Sequence, residues 1–223
     1  LSAGIRFADM SSLELVAVKD TALVSANHSF VTNFLQQREG VRLYSLSTSS
    51  VNATRTGLKA QGFEMDSLRS GRVTRELPKG WNWDDGGPEW LSAGFNNPNP
   101  PAHLPNFIEF IGFPYQELEA EWGSLHTSWR RYYKHANGVV GINALQIVVR
   151  DLKAARKEFK KLGLTELESE NKAEVRFKVA HNQELHLITP QSADDELSNF
   201  LNVNGEGVYA LQFIISNFKD THK

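Results

Sequence analysis

Two glutamates stand where a chain seldom tolerates a charge. Glu14 lies between Leu13 and Leu15, and Glu109 between Ile108 and Phe110, each at the centre of an otherwise apolar run that reads as a strand. A carboxylate so placed must be paired, hydrated or metal-bound. Its chemistry would be ligation of a divalent ion or transfer of a proton; lining a wet cleft or meeting an arginine is the structural alternative. His186, between Leu185 and Leu187, sets an imidazole in a similar frame, where a lone histidine is usually structural. Trp81, Trp83 and Trp90 surround the run Asp84-Asp85-Gly86-Gly87. They could wall an apolar or planar ligand, although aromatic clusters near a turn commonly pack the hairpin. The Asp/Gly run lacks the spacing of an EF-hand. The segment WRRYYKH (129–135) reads as a solvated linking helix with Trp129 and Tyr133 turned inward. No P-loop, dinucleotide glycine fingerprint or G-x-S-x-G elbow occurs, so neither a nucleotide nor a flavin is expected.

Composition narrows the classes further. The 223 residues are 40% hydrophobic and 22% charged, ordinary values for a globular chain that can bury a core. A net charge of −2 gives no electrostatic reason to expect nucleic acid or an anionic membrane as partner. The absence of cysteine removes disulfides, thiolate metal sites and a cysteine nucleophile. Two tripeptides fit the glycosylation pattern, Asn27-His28-Ser29 and Asn52-Ala53-Thr54, but that pattern is common by chance, and a cytoplasmic location is expected. No apolar run approaches the ~18 residues that a membrane span needs, and no basic-then-apolar leader is recognised. The chain opens with Leu1 in what reads as the middle of a fold, so a preceding portion is expected.

The elements that must position these residues repeat. ALQIVVRDLK at 144–153 recurs as ALQFIISNFK 66 residues later, with four of ten positions identical. Around the first copy, GINALQIVV (141–149) predicts a strand, and a helix follows with Asp151 as N-cap, Leu152, Ala155, Phe159 and Leu162 at helical spacing, and Gly163 as its end. A polar hairpin-like stretch and the strands AEVRFKVA (173–180) and ELHLIT (184–189) complete the unit. The same order runs earlier: a strand at 40–48, a helix over 51–61 capped by Ser49 or Ser50 and ended by Gly62, then RVTRELP, an aromatic turn region (80–90), a Pro/Asn loop (95–105) and a strand at 106–112. Residues 4–18 read as the last two strands of another unit, and YALQFIIS begins one more. The predicted division is a first half at 1–122 (partial module 1–20, complete module 40–113), a linker helix region at 123–140, and a second half at 141–223 (complete module 141–190, a new start at 207–223).

LELVAV closing one unit, FIEFIG after a proline-rich loop closing the next, and HANGVVGINALQIVVRDLKAARKEF opening the third together resemble the vicinal oxygen chelate superfamily, in its glyoxalase, bleomycin-resistance and dioxygenase branch. The resemblance implies an α+β fold of repeated βαβββ modules, forming curled mixed sheets with helices packed outside. It implies that the middle of each opening and closing strand faces a ligand cleft. On that mapping Glu14 and Glu109 form one metal site, with Glu109 moving a proton. Gln146, His186 and Gln212 form a weaker second site for Zn, Ni, Mn or Fe. Ser45 occupies the position where the family's metal enzymes carry His or Gln, and its hydroxyl is a poor ligand; with Trp81, Trp83 and Trp90 it is assigned to ligand binding.

Three functions are open on this reading. One is a divalent-metal-dependent lyase, isomerase or dioxygenase acting on a small substrate with vicinal oxygens. The second is a non-catalytic, drug-sequestering binder on the same fold. The third is an interaction role through strand pairing at open sheet edges. A small-molecule ligand is the expected partner, and the resemblance implies a homodimer.

Overall fold

A computed structural model describes residues 2–9, 11–18, 29–72, 89–96, 101–111, 135–180 and 182–216. In chain order the elements are β1 (Ser2–Arg6), β2 (Ser12–Val16), α1 (Ser29–Gln37), β3 (Ser45–Ser47), α2 (Val51–Ala60), β4 (Arg69–Arg72), β5 (Glu89–Ala93) and β6 (Asn106–Ile111). They continue as β7 (Val139–Val148), α3 (Leu152–Lys161), β8 (Thr165–Leu167), β9 (Glu174–Ala180), β10 (Gln183–Ile188), α4 (Glu196–Asn204) and β11 (Gly207–Ile215). Contacts gather the chain into two compact units: Leu43–Trp122, and Leu1–Arg42 together with Gly123–Lys223. Residues 1–42 thus belong by contact with the C-terminal strands, whereas the sequence division grouped them with the module at 40–113. Of the region expected as a linker helix, residues 123–134 lie outside the described residues, and Val139 and Val140 are already in β7.

The two complete modules share one topology. In the unit Leu43–Trp122 the sheet order is β3-β6-β5-β4, and in the other it is β11-β7-β10-β9-β8. Each module runs strand, helix, three strands, and its first strand pairs in parallel with its last, β3 with β6 and β7 with β10. This is the repeated βαβββ, α+β architecture that the sequence led us to expect. The ALQ repeat also has a spatial meaning, because β11 runs antiparallel beside β7. Ala144 faces Gln212, Leu145 faces Leu211 and Gln146 faces Ala210, so the two copies cross about the leucine pair.

Local chemistry sets the helices. Asp151 accepts the Ala154 N–H at 2.9 Å as the N-cap of α3, Lys160 and Lys161 occupy its last turn, and Gly163 leaves it at φ 84°. Ser50 caps α2 by accepting the Ala53 N–H, and Gly62 follows at φ 89°. The buried side of α3 brings Phe159 against Phe177 of β9, ring centroids 5.4 Å apart. Both rings, with Ile147, Leu185 and Leu187, are fully enclosed. Each contributes about 1.5–3 kcal/mol of burial. In the other unit Phe95 links Phe63 and Phe107 edge to face. There the buried Tyr44 donates its hydroxyl to the His103 carbonyl at 2.6 Å, and burial holds that phenol well above its ordinary pKa.

Three elements differ from the sequence reading. The strand expected at 40–48 is only Ser45–Ser47, and α1 and α4 were not anticipated. Helix α4 carries three asparagines, poor helix formers, yet Asp195 caps it by accepting the Ser198 N–H at 2.7 Å, and Gly205 ends it at φ 72°. The β1–β2 hairpin docks on β7 through Asp9, whose carboxylate accepts the Ile142 N–H and the Gln183 side-chain N–H, both at 3.1 Å. A Cβ on Gly141 would lie 2.1 Å from that carboxylate, so glycine is what lets the hairpin approach.

Candidate functional site

Strand alternation divides the β7-β10-β9 sheet into two faces. Phe177 of β9 meets α3 on one, and Leu145 and Leu185 share its row. On the other, Gln146, His186 and Arg176 form a row across three strands, and Ala144, Glu184 and Lys178 form the next. Gln212 joins the second row from β11 through its pairing with Ala144. Sheet register thus brings Gln146, His186 and Gln212 onto one face, the face away from α3.

His186 is the organising group. It is 7% exposed, and among the described residues only it and His103 are buried polar side chains. Its Nε2 lies 2.8 Å from Glu184 Oε2, and its Nδ1 lies 3.1 Å from Glu174 Oε1. The Nδ1 contact is a close approach rather than an aligned hydrogen bond. Arg176 donates to the same Glu184 oxygen through Nε at 2.9 Å and Nη2 at 2.6 Å. Burial alone would raise the Glu184 pKa, but the hydrogen bonds from Arg176 and His186 hold it below the ordinary carboxylate value. With Lys178 opposite Glu184, two carboxylates and two cations balance on this face. A guanidinium has five N–H donors; Nε and one Nη2 hydrogen go to Glu184, and among the described residues no hydrogen bond takes up the Nη1 edge.

Does this set suit a resident metal? The two imidazole nitrogens face different carboxylates on opposite sides of the ring, and the Glu184 oxygen nearest His186 is already held by Arg176. Among the described residues, no group of three His, Asp or Glu side chains is arranged to hold an ion. Gln146 and Gln212 add only neutral oxygens. The described donors therefore fit hydrogen bonding to an organic ligand and do not by themselves make a metal site.

Among the described residues, the remaining sequence candidates belong to other strands. Glu14 is exposed in the β1–β2 hairpin opposite Gly4, and it falls in a different unit from Glu109. Glu109 Oε2 accepts the Val51 N–H at 2.9 Å, which places its carboxylate at the N-terminus of α2. Ser45 is exposed on β3, beside Asn106. Trp90 lies over Gly71 of the neighbouring strand, where an added Cβ would meet the indole Cζ2 at 2.2 Å. It lines a shallow 360 Å³ hollow with Ser70, Glu89 and Ile111. Trp81, Trp83 and the Asp84–Gly87 run lie outside the described residues.

Sequence reasoning singled out His186 but missed its partners Glu174, Arg176 and Glu184. The signal was present in the alternation of EVRFKVA and ELHL, which sets Arg176, Glu184 and His186 in alternation with apolar neighbours; the register shift between Gln183 and Glu184, which sets Arg176 opposite His186, was not legible.

A family model described as a glyoxalase-like domain matches residues 2–163, well over half of the chain. No curated protein matches the sequence. Among solved structures, a hypothetical protein from Staphylococcus aureus aligns with a TM-score of 0.59 at 12% identity, over 85% of this chain and 76% of its own. Methylmalonyl-CoA epimerase from Mycobacterium tuberculosis is 21% identical over 41% of this chain and 66% of its own, with a TM-score of 0.34. TnmS3, an antibiotic binding protein from Streptomyces sp. CB03234, is 14% identical over 69% of this chain and 98% of its own, with a TM-score of 0.33. The first likeness supports the fold; none of the three carries an activity.

Proposed function

The chain belongs to the glyoxalase-like domain family, and from that premise we propose that it binds a small polar molecule with neighbouring oxygens, such as a 2-hydroxy or 2-oxo acid, on the face of β7, β10 and β9 away from α3. One observation carries the reading: a nearly enclosed His186 lies between Glu184 and Glu174 in mid-strand, with Arg176 and Gln146 beside it in the same row. Burying such a charged cluster gives weak or no net stability compared with apolar residues of similar volume. Its presence on the face away from α3 is accounted for by a ligand. The Nη1 edge of Arg176 suits a carboxylate, the amides of Gln146 and Gln212 suit adjacent oxygens, and the His186–Glu184 pair can relay a proton to them.

Calorimetric titration with lactate, glycerate, glyoxylate and catechol tests the reading, run on the parent and on Arg176→Gln. Saturable binding of an acid that weakens about tenfold or more in the variant supports it, since a hydrogen bond to a charged group contributes ~1.5–3 kcal/mol. Near-stoichiometric divalent metal in the purified parent that disappears in His186→Asn would overturn it in favour of a metal centre.

A further inference from the structure

A second concavity lies away from the residues of the His186 cluster. It is a 530 Å³ pocket against the outer edge of β11, where Arg38–Val41 pass beside Phe200 and Asn204 of α4 and Val208, Tyr209, Leu211 and Phe213 of β11. Among the described residues β11 ends the sheet, and this edge faces no further strand of it. The volume lies within the range of small-molecule sites. Its walls are aromatic and aliphatic: Phe200 and Tyr209 stand edge to face with centroids 5.3 Å apart, and Phe213 is 40% exposed.

One cation is built into this mostly apolar lining. The Arg38 guanidinium is 5.0 Å from the Phe34 ring centroid and 5.8 Å from that of Phe200. Arg42 lies 5.9 Å from the same Phe34 ring. Contacts of this kind fix a guanidinium without using its N–H donors. Burial, and then repulsion from Arg42, lower the Arg38 pKa; an anion beside the two cations would relieve that repulsion. Among the described residues neither guanidinium is ion-paired with a carboxylate. Glu39 also lines the pocket, but it is exposed and solvent screens it.

We propose that this pocket is a second ligand site, selective for a planar aromatic carboxylate, whose ring packs among Phe200, Tyr209 and Phe213 while its carboxylate meets Arg38. A nucleotide or polyphosphate fits less well, because the pocket itself is lined by one guanidinium and by the Glu39 carboxylate, which together match at most a single negative charge. The site is separate from the His186 cluster and stands or falls independently of it.

The probe pair is 2-naphthoate and its neutral counterpart 2-naphthamide, titrated into the intact chain and followed by backbone NMR. Saturable naphthoate shifts are expected at Phe200, Tyr209, Leu211 and Phe213 and not on β9 or β10, with the amide about tenfold weaker or worse. Arg38→Gln should erase the preference for the acid, and Phe200→Leu should weaken both probes. Equal binding of acid and amide to the parent overturns the proposal without recourse to any variant. So does a preference that survives Arg38→Gln, or concentration-dependent shifts along β11 without probe, which would mark the edge as a strand-pairing surface.

Discussion

Glu109, chosen from the sequence for chemistry, also has a structural task set by its geometry. Its carboxylate accepts the N–H of Val51, the first residue of α2, at 2.9 Å, and Val51 is completely buried. That donor is one of those a helix leaves unpaired at its start. In Glu109→Ala the buried donor loses its partner, at about 1–3 kcal/mol. The positive end of the helix also loses an anion, at about 0.3–1 kcal/mol. The total is about 2 kcal/mol, and for a unit the size of Leu43–Trp122 this lowers the melting temperature by about 10 °C. Glu109→Gln keeps an acceptor oxygen and should lose only the charge contribution, near 0.5 kcal/mol. Thermal melts followed by circular dichroism at neutral pH measure both. An alanine variant that melts within about 1 °C of the parent refutes the reasoning. So does either variant abolishing small-molecule binding while leaving stability intact, because the carboxylate would then be serving a ligand and not α2.

Gly71→Ala places a methyl carbon 2.2 Å from the Trp90 indole, so the ring must move; the expected cost is about 1–3 kcal/mol with a changed near-ultraviolet tryptophan signal, and an unchanged signal would contradict the packing described. Asp9→Ala leaves the Ile142 N–H without the carboxylate that holds it, although Ser11 Oγ still accepts from it at 3.0 Å. Faster hydrogen exchange at Ile142 is expected, confined to the hairpin and the start of β7. Glu184 makes stability depend on pH with a defined sign. Its folded-state pKa is depressed, the raising effect of burial being outweighed by hydrogen bonds from Arg176 and His186. Its contribution is therefore present above the ordinary carboxylate pKa and is lost as pH falls through the folded value. Arg176→Met should move that loss to higher pH, measured by urea unfolding from pH 7 to 3, and an unshifted profile would show that the pair adds nothing.

The fold was legible wherever hydrophobic period, cap and stop coincided. Asp151, the spacing from Leu152 to Phe159, and Gly163 together specify α3, and the same logic finds α2 between Ser50 and Gly62. The repeat around ALQ revealed the module, because a strand buried on one face keeps its pattern when it recurs. Helix α4 stayed hidden because it depends on the Asp195 cap and on tertiary contacts such as Phe200 against Tyr209, not on propensity. At the site, His186 and Gln146 were legible as polar residues inside apolar strands. What a single strand could not reveal was partnership: Arg176 and Glu184 matter through hairpin register and parallel pairing with β7, which emerge only when strands align. The contact of Glu109 with α2 was not legible either, because alternation fixes the parity of a side chain along a strand but not which helix N-terminus it will meet.

The central claim is that the His186 cluster receives the ligand. The most direct measurement is an imidazole-selective 1H–15N NMR titration of the intact chain with the tightest-binding 2-hydroxy or 2-oxo acid, assigned through His186→Gln. The account predicts that the ring signals of His186 move with saturation while those of His103 and His135 stay fixed. A saturating ligand that leaves the His186 signals unmoved would contradict it.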